Sequence, residues 1–280
     1  AGTPAGALAA YDKAVASGAD FVVGPLGRDE VDAVYGRQQL QVPVLALNRG
    51  KDAPPAGSAG FSLAPEDDGI VAAEYLRGRE RGRALVINSN DDTGRRAAAA
   101  FAQRFAQRGG QVVATFGVGE AVGDIGAQVR NAGQVDAVFL AVRAPQARLL
   151  APQLALAGAG GATRVGTSQL TVGSGKVEED VALDGIVYPN EAWNVRSVSG
   201  VPSASQVASA LPSARGAAGR LFAFGADAWK ITAYLDKLAN EGGLDGATGT
   251  LFLDGNGNIL RQPAWSTFNG GRPMPIIGGR

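Results

Sequence analysis

RALVINSNDDTGRRAAAAFAQRFAQRGGQVVATF, residues 83–116, is the stretch that decides the fold. Arg83 to Ile87 is a short apolar run with the length of a buried strand, and Asn88 to Asp92 is a polar loop behind it. Thr93 to Arg108 then reads as a helix that stops at Gly109-Gly110, where glycine relieves the left-handed C-cap. Val112 to Phe116 is the next strand. Two strands joined through a helix imply a parallel pair, because an antiparallel pair would need only a short turn.

The same alternation spreads in both directions. Upstream, Ala5 to Ser17 has Leu8, Tyr11 and Val15 at helical spacing and leads through Gly18 into a strand at Phe21 to Val23. Asp29 to Gln39, with Val31, Val34 and Tyr35 on one face, leads into a strand at Val42 to Leu47. Pro65-Glu66-Asp67-Asp68 opens a helix expected to run to about Gly82, with proline in the first turn and acids at the positive end of its dipole. Downstream, Asp124 caps a helix over Ile125 to Ala132, Ala137 to Ala141 is a strand, and Pro145 to Ala157 is a helix broken by Gly158 to Gly161. Val165 to Thr167 and Ile186 to Tyr188 are the last strands of the series. The fold class is therefore α/β with parallel sheets and right-handed crossovers.

Beyond that the texture changes. Ser197 to Ala214 has a loop composition of serine, alanine, valine and two prolines. Arg220 to Asn240 is the strongest amphipathic helix, with Leu221, Phe224, Ala228, Ile231, Leu235 and Leu238 on a three- or four-residue step. The tail turns to short strands at Gly249 to Leu253, Ile259 to Arg261 and Ala264 to Phe268, which suggests a closing hairpin.

Composition narrows the chemistry. A chain of 280 residues suits two domains, and 26 basic residues cancel 26 acidic ones, so no field favours nucleic acid or an acidic membrane surface. Histidine and cysteine are both absent, which removes thiol nucleophiles, serine–histidine triads and Cys/His zinc sites together. It also leaves little to titrate between pH 6 and 8. No apolar run approaches the ~20 residues that span a bilayer, and the first residues are no signal peptide. The expectation is a soluble chain trimmed from a longer one, without a cofactor.

The remaining motifs are weak. Asp254-Gly255-Asn256-Gly257-Asn258 imitates half a calcium loop, but Ile259 and Trp265 stand where glycine and glutamate are required, so it reads as a hairpin turn. Gly173-Ser174-Gly175-Lys176 lacks the first glycine and the hydroxyl of a phosphate loop. Glu66-Asp67-Asp68 serves the helix dipole, and Glu178-Glu179-Asp180 reads as a solvated face. Asp91 and Asp92 differ, because they follow a strand at its carboxyl end, where open α/β sheets bind ligands; helix capping by Asp92 or Thr93 is the competing reading. By the same rule the ligand-cleft candidates are Leu26, Gly27, Asn48, Arg49, Ser89, Asn90, Asp91, Arg143, Ser168 and Glu191. Arg49 and Arg143 suit a carboxylate or phosphate.

The ordered landmarks Ala19 to Leu26, Val42 to Asn48, Phe61 to Asp68, Gly246 to Asp254 and Arg261 to Phe268 resemble the penicillin-binding protein activator lipoproteins, the LpoA or LppC family, on the type I periplasmic-binding-protein fold. The resemblance covers nearly the whole chain. It implies two Rossmann-like lobes joined by three crossovers, residues 1–63 with 189–258 and residues 64–188 with 259–280, the first lobe lacking its first strands. It also implies a non-enzymatic periplasmic regulator that contacts a class A penicillin-binding protein in peptidoglycan synthesis. That protein would be tethered to the outer membrane through a lipid anchor upstream of residue 1. The alternative is a solute-binding protein of an ABC transporter, with a small polar or anionic ligand in the cleft between the lobes. Where amino-acid binders of this fold place hydroxyls, this chain has Gly27-Arg28 and Asn48-Arg49.

Overall fold

The computed structural model describes residues 2–37, 39–171, 174–214 and 217–277, and the chain divides into two compact units. The first takes residues 1–64, 196–214 and 218–262, and the second takes residues 65–195 and 263 onward. Gly173 of the phosphate-loop look-alike lies outside the described residues, as do Gln38 in the span read as a helix and the last three residues.

The chain opens in the first unit with α1 (Pro4–Ala16), β1 (Val22–Val23), α2 (Arg28–Tyr35), β2 (Val44–Ala46) and β3 (Ala59–Phe61). Thr3 starts α1 by accepting the Gly6 N–H at 3.1 Å, with Pro4 in the first turn. The second unit follows with α3 (Pro65–Arg77), β4 (Arg83–Ser89), α4 (Asp92–Gln107), β5 (Gln111–Val118), α5 (Gly126–Asn131) and β6 (Ala137–Ala141). It continues through α6 (Ala144–Leu154), β7 (Thr163–Gly166), α7 (Val177–Asp180), β8 (Val187–Asn190) and α8 (Ala192–Val195). The chain then returns to the first unit for α9 (Ala204–Ala210), α10 (Ala217–Glu241), β9 (Leu244–Asp245), β10 (Thr250–Leu253) and β11 (Asn258–Gln262), and ends in the second with β12 (Ala264–Asn269) and β13 (Arg272–Pro275).

Each unit has one sheet. The first has the order β1-β2-β3-β11-β10-β9, parallel from β1 to β11 and antiparallel beyond. The second has the order β13-β12-β8-β7-β6-β4-β5, parallel from β8 to β5 with β12 and β13 antiparallel at the far edge. The central strands are buried on both faces, as parallel sheets require. In β4, Leu85 and Ile87 enter one core while Ala84 and Val86 enter the other; in β2, Leu45 parts from Val44 and Ala46 in the same way. Phe101 of α4 stacks on Phe139 of β6 at 4.4 Å, centroid to centroid.

Several expectations shift. The pairings keep β8 in the second unit and β11 in the first, so the chain changes unit after Ala64, Val195 and Gln262 rather than after residues 63, 188 and 258. The tail therefore forms two hairpins, β10–β11 and β12–β13, one per unit. Helix α3 ends at Arg77, five residues early, where the turn that follows holds Glu80 at a φ of 59°. The span Ser197–Ala214 is not all loop, because Ser203 caps α9 through the Gln206 N–H at 3.3 Å. Asp180 is buried rather than on a solvated face, held by Arg148 at 2.9 Å and by the Ser174 N–H.

Candidate functional site

In the second sheet β4 is central, β5 lies on one side and β6 on the other, so successive connections leave in opposite directions. That makes the carboxyl ends of β4 and β6 a topological switch point, where doubly wound sheets leave a crevice. A cavity of about 400 Å³ lies there, lined by Ser89, Asn90 and Asp91 after β4, Gly119 and Glu120 after β5, and Arg143 after β6.

Local bonding fixes its wall. Asp91 caps α4, accepting the Gly94 N–H at 2.8 Å and the Ser89 hydroxyl at 2.9 Å on one carboxylate oxygen. Its other oxygen receives Arg143 Nη2 at 2.9 Å. The helix cap is thus Asp91, not Asp92 or Thr93. The Gly94 N–H, helped by Ser89 and Arg143, holds the Asp91 carboxyl below the usual aspartate range. Glycine at 94 is required, since a Cβ there would come within 2.2 Å of Ser89 Oγ and 2.8 Å of the Ala141 carbonyl. Gly117 of β5 makes room for Asn90 in the same way, with only 2.1 Å between an added Cβ and Asn90 Oδ1. Gln146 ties two strand exits together, accepting the Arg143 N–H at 3.2 Å and donating to the Gly119 carbonyl at 2.8 Å.

Chemically the cavity sets a few convergent polar groups into a wall shared with Val118 and Pro145. A general base works best with a pKa near the working pH; Asp91 is held below the usual range and is already engaged by the Gly94 N–H and Arg143. Arg143 keeps 60% of its side chain exposed beside the exposed Asn90, which suits hydrogen bonding to a small polar or anionic group.

The other candidates are not among the residues that line this cavity. In the first unit Asn48 donates to the Leu26 carbonyl at 2.8 Å and accepts the Arg49 N–H at 3.0 Å, tying the exits of β1 and β2 together. Gly27 starts α2 and donates to Glu30 at 3.3 Å, while the Leu26 side chain is exposed. Ser168 is consumed: its N–H (2.9 Å) and hydroxyl (2.5 Å) both bind Asp68 at the start of α3, deep in the second unit. Glu191 is buried just beyond β8. Sequence reasoning missed Glu120 and Gln146. The strand-end rule, applied to β5, reaches the first, and the spacing from Arg143 to Gln146, that of a capping box, marks the second.

The comparisons with known proteins agree with one another. The family model described as "LppC putative lipoprotein" matches residues 7–123 and 118–271. A curated relative from Enterobacter sp. (strain 638), "Penicillin-binding protein activator LpoA", is 25% identical over 309 residues, covering 92% of this chain and 41% of that protein. The chain thus spans under half the length of this relative. Among solved structures, "LpoA (YraM) C-domain from Haemophilus influenzae, a regulator of PBP1A" superposes with a TM-score of 0.84 at 22% identity, covering 97% of this chain and 86% of that one. A Chromobacterium violaceum structure titled "a putative branched-chain amino acid ABC transporter" gives 0.69 at 27% identity, covering 93% and 84%. The two-lobe α/β architecture of periplasmic binding proteins is therefore the fold of this chain.

Proposed function

The chain belongs to the LppC family, and from that premise we propose that it is the two-lobed part of a non-enzymatic activator of a class A penicillin-binding protein. As part of a protein that is itself held at the outer membrane by a lipid anchor, it acts by protein contact in the periplasm and stimulates peptidoglycan synthesis. The observation that supports this reading is the superposition, over 97% of this chain, on the Haemophilus influenzae LpoA C-domain, described as a regulator of PBP1A. The experiment is direct binding. The chain is immobilised and the purified class A synthase from the same genome is passed over it, a monofunctional transpeptidase serving as control. Saturable binding of the first alone is expected; equal binding of both, or of neither, overturns the reading.

The cavity at the β4–β6 switch point favours a second reading, a solute-binding role in which Asn90 and Arg143 grip a small polar or anionic molecule. Its test is a thermal-shift screen of amino acids and small carboxylates, in which a ligand that stabilises wild type but not Arg143→Ala supports it.

A further inference from the structure

We infer that the outer face of α10, built from Leu221, Gly225 and Trp229, is the docking face for the synthase. This rests on the activator reading above. These residues stand four apart, so they fall in one row along the helix. The opposite face, with Phe224, Ala228 and Ile231, is packed into the core of the first unit. The row itself is bare: Trp229 is 78% exposed and Leu221 is 64% exposed.

Gly225 gives the row its shape. It sits inside a 25-residue helix, where glycine is a poor helix former, and a Cβ added to it meets nothing within 4 Å. Packing within the chain gives no reason for glycine there. Without a side chain, the helix offers a notch between an aromatic and an aliphatic anchor, a shape that lets another backbone or ring approach closely.

Charge and area choose the occupant. From Ala218 to Trp229 the only charged residues are Arg220 and Asp227, and Asp227 is fully buried; Lys230 and the exposed Asp236 lie beyond the C-terminal end of the row, so the stretch from Leu221 to Trp229 suits an apolar ridge rather than an acidic or nucleic surface. A membrane-surface helix would set rows of lysine and arginine beside its apolar face. The exposed parts of the two anchors come to on the order of 300 Å², against roughly 800 Å² per partner in a stable interface. A second copy held permanently needs more than this, whereas a transient protein partner anchored on one tryptophan does not. Tryptophan is also the residue type most enriched among binding hot spots.

The test measures affinity for the purified class A synthase alongside thermal midpoint for three variants. Trp229→Ala should raise Kd about tenfold or more with the midpoint unchanged, as expected of a hot spot on an exposed face. Gly225→Ala should raise the midpoint, because alanine is the better helix former, and yet weaken binding by filling the notch. Leu156→Ala, at an exposed leucine of the second unit, should change neither. Raising salt from 50 to 300 mM should shift Kd by less than about twofold. Unchanged binding by both α10 variants, with wild type bound, overturns the face and leaves the activator reading standing. Failure of wild type to bind overturns the activator reading itself. Wild type that self-associates through Trp229, or binds lipid vesicles through it, overturns the choice of occupant.

Discussion

At the scale of single residues, Asp91 joins capping and ion pairing in one carboxylate, and the two are separable by substitution. Asparagine caps as well as aspartate, so Asp91→Asn should lose only the half-exposed Arg143 pair, within about 1 kcal/mol, whereas Asp91→Ala should lose about 1–2 kcal/mol. The midpoint of urea unfolding reports both. Because the folded carboxyl sits below the usual range, its stabilisation is present above the unfolded pKa and is lost as pH falls through the folded value. The gap between wild type and Asp91→Ala should therefore hold from neutrality to about pH 4 and close only below it. Asp227 is a stricter case. Its buried carboxylate accepts the Ala247 N–H at 2.6 Å, the Thr248 N–H at 2.7 Å and the Thr248 hydroxyl at 2.6 Å. Asp227→Asn turns an amide NH₂ toward at least one of these donors, and a loss of at least about 2 kcal/mol in the same urea experiment is expected. Asn90, Asp91 and Arg143 were legible in the sequence because the strand-end rule needs only local order. The Asp68 clamp on Ser168 was not, since its two partners lie 100 residues apart and no local pattern joins them.

At the scale of elements, α3 and α4 pack backbone against backbone. Gly69 lets them meet: a Cβ there would lie 2.2 Å from the Ala97 carbonyl oxygen and 2.8 Å from the Phe101 nitrogen, both backbone atoms that cannot swing aside. Gly69→Ala should therefore destabilise by about 1–3 kcal/mol, read as a lowered thermal midpoint, although alanine is the better helix former in isolation. The opposite sign expected for Gly225→Ala shows that the same change in a helix depends on what faces it. The long elements were legible from periodicity alone, and α4 and β6 fall within a residue or so of their expected bounds. Several of the short ones were not. β3 and β9 hold three and two residues, too few for any period to show, and β13 follows the turn at Gly270-Gly271 with two prolines in four residues. The serine and alanine of α9 resemble loop composition, and only its cap marks it as a helix.

At the scale of the whole molecule, each unit carries a parallel sheet edged by an antiparallel hairpin, and the chain passes from unit to unit after Ala64, Val195 and Gln262. Alternation of apolar runs and helical segments along the chain set the class, but the crossings were displaced by up to seven residues. Hydrogen-bond partners decide which sheet owns β8 and β11, and pairing across 74 to 198 residues leaves no local trace. The proposed function was legible only through resemblance, because a regulator that works by contact would need no catalytic constellation for a sequence to display. Its direct measure is the initial rate of glycan-strand synthesis by the purified class A penicillin-binding protein from the same genome, on its lipid-linked precursor, with and without a stoichiometric amount of this chain. The account predicts a faster rate that saturates with added chain and is blunted by Trp229→Ala; a rate unchanged by folded wild-type chain would contradict it.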